Sequence, residues 1–223
     1  MKINLSNTRL FNGISESEIE MLLRCISSYK KFYKKGDFIL NESETTDFLG
    51  LVLDGMVIIE RSDIWGNNTI IGTISAGEVF AETYAMLDDE PLMINVVANK
   101  DCEVLFLNVK DILTSCEKAC GFHTRLIANL VKIASIKNLN LSRKILHTGP
   151  KTIRERLVSY FSECVKKENS LSFKIPYNRQ QLADYLSVDR SSMSNELSKM
   201  QKDGIIKFHK NEFTIIETDE LYY

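Results

Sequence analysis

The sequence predicts an α+β protein: an N-terminal jelly-roll-like β-barrel, a long dimerisation helix and a C-terminal winged helix-turn-helix. Three observations predict it. Short β-rich runs cut by turn residues fill residues 28–108. A helical pattern without proline runs from about Cys120 to Ile145. Two short helical patterns joined by a tight turn, and then a hairpin pattern, occupy residues 178–216. The implied domains are 1–115, 116–147 and 148–223.

The C-terminal third is the most informative. Leu182, Ala183 and Leu186 repeat at helical spacing, Val188 fills a turn, and Met193, Leu197 and Met200 form an i, i+4, i+7 stripe. Asp189 stands where an N-cap belongs. Arg190, Ser191, Ser194 and Asn195 are left on the solvent side of the second helix, the place from which a helix reads the major groove. Gly204 ends that helix. Ile205–Phe208 and Phe213–Ile216 then flank a polar turn, as the strands of a wing do. Charge agrees: Pro150–Phe213 holds twelve Lys and Arg against eight Asp and Glu, whereas the whole chain is −2. A basic end on an acidic protein suits contact with phosphate at that end.

At 223 residues the chain is long enough for two modest cores. No apolar run reaches membrane-spanning length, and Met1–Asn7 lacks the apolar centre of a signal peptide, so a cytoplasmic protein without a membrane partner is expected. Five scattered cysteines do not form a disulfide framework.

The chain opens with a helix expected over Ser15–Ser27. Its Ser15-Glu16-Ser17-Glu18 start has the form of a capping box, and Ile19, Leu22, Leu23 and Ile26 lie on one side. Strands follow at Phe38–Leu40, Leu49–Leu53, Met56–Glu60, Thr69–Ile74, Ile94–Ala98 and Glu103–Leu107. Turns are expected at Lys35–Asp37, Asp54-Gly55, Trp65–Asn68, Ala76–Glu78 and Ala98–Asp101. Gly77–Met86 interrupts the strands as a turn and short helix, a natural position for an anion. In the long helix, Ile127, Leu130, Val131, Ala134, Leu141 and Ile145 make an apolar seam. A helix of this length needs a partner surface, and a second copy is the economical one. His147–Pro150 breaks the helix. Thr148 is a candidate cap for the next, expected over Lys151–Lys167, and Gly149-Pro150 is the candidate hinge.

Barrel, long helix and winged helix in this order resemble the cAMP-receptor/FNR (Crp/Fnr) family of bacterial transcription regulators over nearly the whole chain. The matching motifs are Gly36-Asp37, Leu53-Asp54-Gly55, Gly77-Glu78-Val79-Phe80-Ala81-Glu82, Asn178–Ala183 and Val188–Ser191. The resemblance implies a homodimer that binds double-stranded DNA at an inverted repeat, with RNA polymerase a possible further partner. It also implies a cyclic-nucleotide-binding-like barrel that senses a small-molecule effector. The effector pocket would comprise Gly77, Glu78, Val79, Phe80, Ala81 and Glu82 with Leu92 and Met93.

The departures restrict the effector. The resemblance puts Glu82 on a ribose hydroxyl, but the Arg-Ser pair that holds the cyclic phosphate falls on Leu92 and Met93. Without a guanidinium a buried phosphate is uncompensated, so tight cAMP or cGMP binding is not expected. Ala81 also stands for the cassette's usual second glycine. In the reader, the resemblance makes Arg190, Ser191 and Asn195 base-reading residues. Arg179, Gln180, Ser192 and Lys199 become phosphate contacts that set register. The family commonly has a glutamate at Ser191 and an arginine at Asn195, so the site sequence should differ from that of cAMP-receptor relatives.

Other chemistries have little support. An iron–sulfur cluster of the FNR kind needs several N-terminal cysteines, whereas Cys25 stands alone in the first hundred residues. Cys116, Cys120 and His123 are spaced i, i+4, i+7, which on one helix would gather three metal or redox ligands. Gly121 within the motif opposes a continuous helix, and no metal or cofactor is assigned. Haem has only His123, His147 and His209 to use, none in the barrel. Cupin-type enzyme chemistry fails for want of histidine ligands before His123. A cyclic-nucleotide-binding module and an effector-independent DNA-binding protein with a vestigial sensor are the alternatives.

Overall fold

The computed structural model describes residues 3–62, 68–114 and 121–216. The chain divides into two compact units, with the division between Ile136 and Lys137.

The first unit opens with α1 (Glu16–Cys25). Ser15 and Glu18 cap it reciprocally, the Ser15 amide donating to Glu18 Oε2 at 2.8 Å. Eight strands follow: β1 (Ser28–Tyr33), β2 (Phe38–Leu40), β3 (Phe48–Asp54), β4 (Met56–Ser62), β5 (Asn68–Ser75), β6 (Val79–Phe80), β7 (Asn95–Ala98) and β8 (Cys102–Asn108). They form two four-stranded antiparallel sheets, ordered β1-β8-β3-β6 and β2-β7-β4-β5, which is the expected jelly-roll-like β architecture. The first sheet is covered on both faces. Leu49, Leu51, Leu53, Leu105 and Leu107 pack with Leu22 of α1 and Ile112 of α3 (Val109–Leu113), while Val52, Val104 and Phe106 pack with Val57 and Val96 of the second sheet. Alternate side chains therefore feed two cores, which is why β3 and β8 read as near-continuous apolar runs. The expected turn at Trp65–Asn67 lies outside the described residues.

Two strands of the first unit were not anticipated. β1 is nearly all exposed between its ends and carries Lys30 and Lys31, so it has no apolar alternation; its pairing with β8 makes it a strand. β6, where a helix was expected to begin, is two residues pairing with Gly50 and Leu51.

The long helix α4 (Gly121–Thr148) requires a correction. Leu130, assigned to the dimer seam, is wholly buried in the core of the first unit with Leu126 and Ile133. Val131, Leu141 and Ile145 are 54%, 59% and 60% exposed. The apolar residues of α4 thus belong to two stripes, one turned inward and one outward. Sequence spacing alone merged them.

The second unit contains the end of α4, then α5 (Ile153–Glu168), β9 (Ser172–Lys174), α6 (Arg179–Leu186), α7 (Arg190–Lys202), β10 (Ile206–His209) and β11 (Glu212–Ile215). The cap of α5 is Thr152, not Thr148. Its side chain meets the Glu155 amide at 3.2 Å, whereas the Thr148 hydroxyl donates back to Lys144 O within α4. β9 adds to the expected hairpin, giving the order β10-β11-β9. Phe161, Leu182, Leu186, Met193, Leu197, Met200 and Phe213 fill the core of this unit.

Candidate nucleic-acid interface

The helix-turn-helix is built by local capping. Asn178 Oδ1 accepts the Gln181 amide and Gln181 Oε1 accepts the Asn178 amide, both at 2.9 Å. This capping box starts α6. Ser187 ends α6 in the left-handed region, and the Val188 amide donates to Ala183 O at 3.0 Å, closing the turn. Asp189 then caps α7. Its Oδ1 accepts the Ser191 hydroxyl at 2.6 Å and the Ser192 amide at 2.8 Å. Those two bonds, the Ser191 hydroxyl first, hold the Asp189 carboxyl down at about 2. The cap's contribution is thus complete above the ordinary aspartate range near pH ~4 and is lost only as pH falls through about 2. It is constant across physiological pH.

Met193, Leu197 and Met200 are buried to zero exposure, which turns the opposite face of α7 outward. Arg190, Ser191, Ser192, Asn195 and Lys199 are all exposed. Arg190 keeps its side chain at the first position of the helix, while Ser194 is half-buried and donates to Arg190 O at 2.9 Å. Ser191 is engaged with the cap, so its hydroxyl donor is already committed. Lys199 lies 3.9 Å from Glu196.

Two of the phosphate candidates have other partners. The Arg179 guanidinium sits over the Phe208 ring at 4.7 Å and the Phe213 ring at 5.1 Å, and burial lowers its pKa. Its role in this structure is to fasten α6 to the β10–β11 wing by cation–π contact. Gln180 Nε2 donates to Asp184 Oδ1 at 2.8 Å and remains exposed. Exposed Lys207 and Lys210 on the wing join the basic surface and were not singled out in the sequence. Arg154 and Arg156 of α5 were also missed. Their partners come from α7, the turn and the linker, and no spacing rule connects such distant residues.

Gly77 has φ +89 and donates its amide to Val52 O at 2.8 Å, and Glu78 Oε2 accepts the Ser75 amide. Ala81 adopts the left-handed conformation that a glycine takes without strain. The anion-binding reading of this turn loses its basis. α2 (Glu82–Ala85) is four residues long, and its first residue is the buried Glu82. Val79 and Phe80 are buried, and the Phe80 ring sits so close to Gly50 that a Cβ there would lie 2.2 Å from it. Leu92 is 2% exposed but Met93 is 59% exposed. Met93 therefore faces solvent and does not line an interior pocket, which corrects its assignment.

For the metal trio, Cys116 and Cys120 lie outside the described residues. His123 is buried, with Nε2 2.7 Å from Ile112 O. Among the described residues no group of three His, Cys, Asp or Glu side chains could hold a metal ion, and no helix is long and apolar enough to cross a membrane.

A capped reading helix beside a wing, in one chain with a two-sheet β roll, defines a DNA-binding regulator with a sensor-like domain. The family comparisons agree with the geometry. A cyclic nucleotide-binding domain model matches residues 30–119, and a Crp-like helix-turn-helix domain model matches residues 155–222. The chain belongs to the Crp/Fnr family of DNA-binding transcription regulators. It is 22% identical to the cyclic AMP receptor protein of Thermus thermophilus, over 91% of this chain and 90% of that one. It is 20% identical to the transcriptional activator protein FnrL of Cereibacter sphaeroides, over 84% of this chain and 76% of that one. The structure of OCPA-complexed CprK shares the fold, with a TM-score of 0.63 at 12% identity over 93% of this chain and 94% of that one.

Proposed function

We propose that this regulator is a homodimer that reads an inverted repeat in double-stranded DNA, under the control of a small-molecule effector other than a cyclic nucleotide. The observation that carries the dimer is the outward stripe of α4. Val131, Ala134, Asn138, Leu141 and Ile145 recur at spacings of three and four, the period of a two-stranded coiled coil, while Ile127, assigned to the same seam, packs partly against the core of the first unit. Leaving Val131, Leu141 and Ile145 exposed is costly in water, and a second copy covers all three at once. Asn138 in that stripe is the kind of single polar residue that sets register between two helices.

The two stripes separate two experiments. Leu130→Ala should cost about 3 kcal/mol of protomer stability through a core cavity and leave dimer affinity nearly unchanged. Leu141→Asp with Ile145→Asp should yield a folded monomer that has lost its preference for the repeat. Thermal melting and sedimentation velocity read both, and a dimeric double variant would sink the seam assignment.

For the effector, Leu92 is buried where the family's phosphate-binding arginine stands, and Ala81 and Glu82 complete an uncharged-to-acidic cassette. A cyclic phosphate would meet no cation from these positions. Calorimetry with cAMP and with cGMP is expected to give no heat of binding at micromolar concentrations; a micromolar affinity for either would overturn this reading. A more apolar ligand fits Leu92 better. The second reading, an effector-independent regulator, is favoured by one observation: the fully buried Phe80 ring fills the core beside Gly50. Selection of bound duplexes from a random library without added ligand distinguishes the two. Strong enrichment of a repeat by ligand-free protein supports the effector-independent form. RNA polymerase remains a further proposed partner, testable by transcription from the selected site.

A further inference from the structure

Three charged residues of α5 each hold a different part of the second unit. Glu163 grips the end of α4: its Oε2 lies 2.5 Å from His147 Nε2 and its Oε1 lies 3.1 Å from Arg143 Nε. His147 is buried at 3% exposure, its Nδ1 is 3.0 Å from Ser159 Oγ, and its ring meets Tyr160 edge-on at 5.6 Å. Arg156 grips the linker and the turn together. Its Nε donates to Pro150 O at 2.9 Å, and its Nη1 donates to Leu186 O and Ser187 O, both at 3.0 Å. Arg154 grips the reading helix, donating to Glu196 Oε1 at 2.6 Å and to Asp203 Oδ2 at 2.7 Å.

These bonds leave the Gly149-Pro150 joint little freedom. The linker is tied on one side by the His147–Glu163 pair and on the other by Arg156. Gly149 is not among the glycines with positive φ, and its amide still donates to Ile145 O at 2.8 Å, prolonging the helical pattern of α4. A chain pinned on both sides does not bend as a free hinge.

We infer that α5 is the transmission element of the reader, with His147–Glu163 as its input clamp and Arg156 and Arg154 as its output clamps. The direction of the last turns of α4 is delivered to α7 through α5 and is not absorbed at Gly149-Pro150. Glu163 and His147 are positioning residues: they touch no DNA, and they decide how far apart and at what angle two readers are presented. This inference rests on the dimer reading above.

The test uses the full-length protein on three duplexes: a single half-site, the selected inverted repeat, and the repeat with one base pair inserted at its centre. Wild-type protein is expected to prefer the repeat over the inserted duplex. Glu163→Gln should reduce that preference about tenfold while single half-site affinity stays within about twofold. His147→Gln, which keeps a hydrogen-bonding head at that place, should do the same. The double variant should lose no more than Glu163→Gln alone, because both changes break the same His147–Glu163 pair. Lys166→Gln, on the same helix but outside the clamps, should behave as wild type.

Both single variants keeping the wild-type spacing preference while melting cooperatively would overturn the inference. A fall in half-site affinity in proportion to the loss on the repeat would also overturn it, since that is what mere loosening of the fold produces. Failure of the dimer reading shows separately, in the wild-type measurement alone. A wild-type protein that binds half-site and repeat equally removes that reading, and this inference with it.

Discussion

Replacing Arg190 by alanine is expected to erase base preference at one position of each half-site and to leave affinity for random duplex almost unchanged. Arg190 is the first residue of α7 and is exposed, because it lies at the open N-terminal end of the helix, one turn before the buried Met193. The Asp189 cap fixes the start of that helix through the Ser191 hydroxyl and the Ser192 amide, so the Arg190 side chain leaves a rigid base. A guanidinium in that place can bond guanine O6 and N7 together, a contact of about 1–3 kcal/mol of discrimination. Two half-sites double it, so the selected repeat should weaken by about thirtyfold or more. Lys199→Ala should behave differently. Its ammonium lies two to three turns along the helix, loosely paired with Glu196 at 3.9 Å. Its loss should weaken all sequences alike and reduce the salt slope by about one per protomer. Titration of selected and scrambled duplexes at several salt concentrations reads both variants. Equal losses on the two duplexes for Arg190→Ala would refute the base-reading role.

The largest stability effect is expected at Gly55. This glycine turns β3 into β4 at φ +86, and a Cβ added there would lie 2.4 Å from Asp101 O, 2.6 Å from Cys102 Cβ and 2.8 Å from Cys102 Cα. Two of those three atoms belong to the backbone, so no side-chain rotation relieves the clash. Gly55→Ala must displace the start of β8, the strand between β1 and β3 in the first sheet. A loss of about 3 kcal/mol or more is expected. Gly36 is the control. It also has a left-handed φ, +92, but nothing lies within 4 Å of an added Cβ. Gly36→Ala should therefore cost only the backbone strain, about 1 kcal/mol. Chemical denaturation of both variants measures the difference. Similar losses for the two would mean that the Asp101–Cys102 segment yields freely.

The sequence made parts of this molecule legible for specific reasons. The reader was legible because its determinants are local: the Asp189 cap and the α7 stripe lie within a few residues of their partners, whereas the Asn178–Gln181 box emerged only in the structure. The Ser15–Glu18 box and the Asp54-Gly55 turn were legible for the same reason. β1 was not legible, because a strand with exposed Lys30 and Lys31 is recognised only by its pairing with β8. Arg179 read as a phosphate contact until Phe208 and Phe213, about thirty residues on, took its guanidinium.

Periodicity, capping residues and turn glycines were enough to establish the order of elements, the winged helix-turn-helix and the exposed position of Arg190. Each is a short-range property, written in spacings of two to four residues. Tertiary packing alone decided that Leu130 turns into the core while Val131 turns out, that Met93 lies at the surface beside buried Leu92, and that α5 clamps the end of α4, the linker and α7. Those outcomes depend on which surface a distant segment covers. A residue's own spacing records that it can be buried, and only the neighbour that arrives determines where.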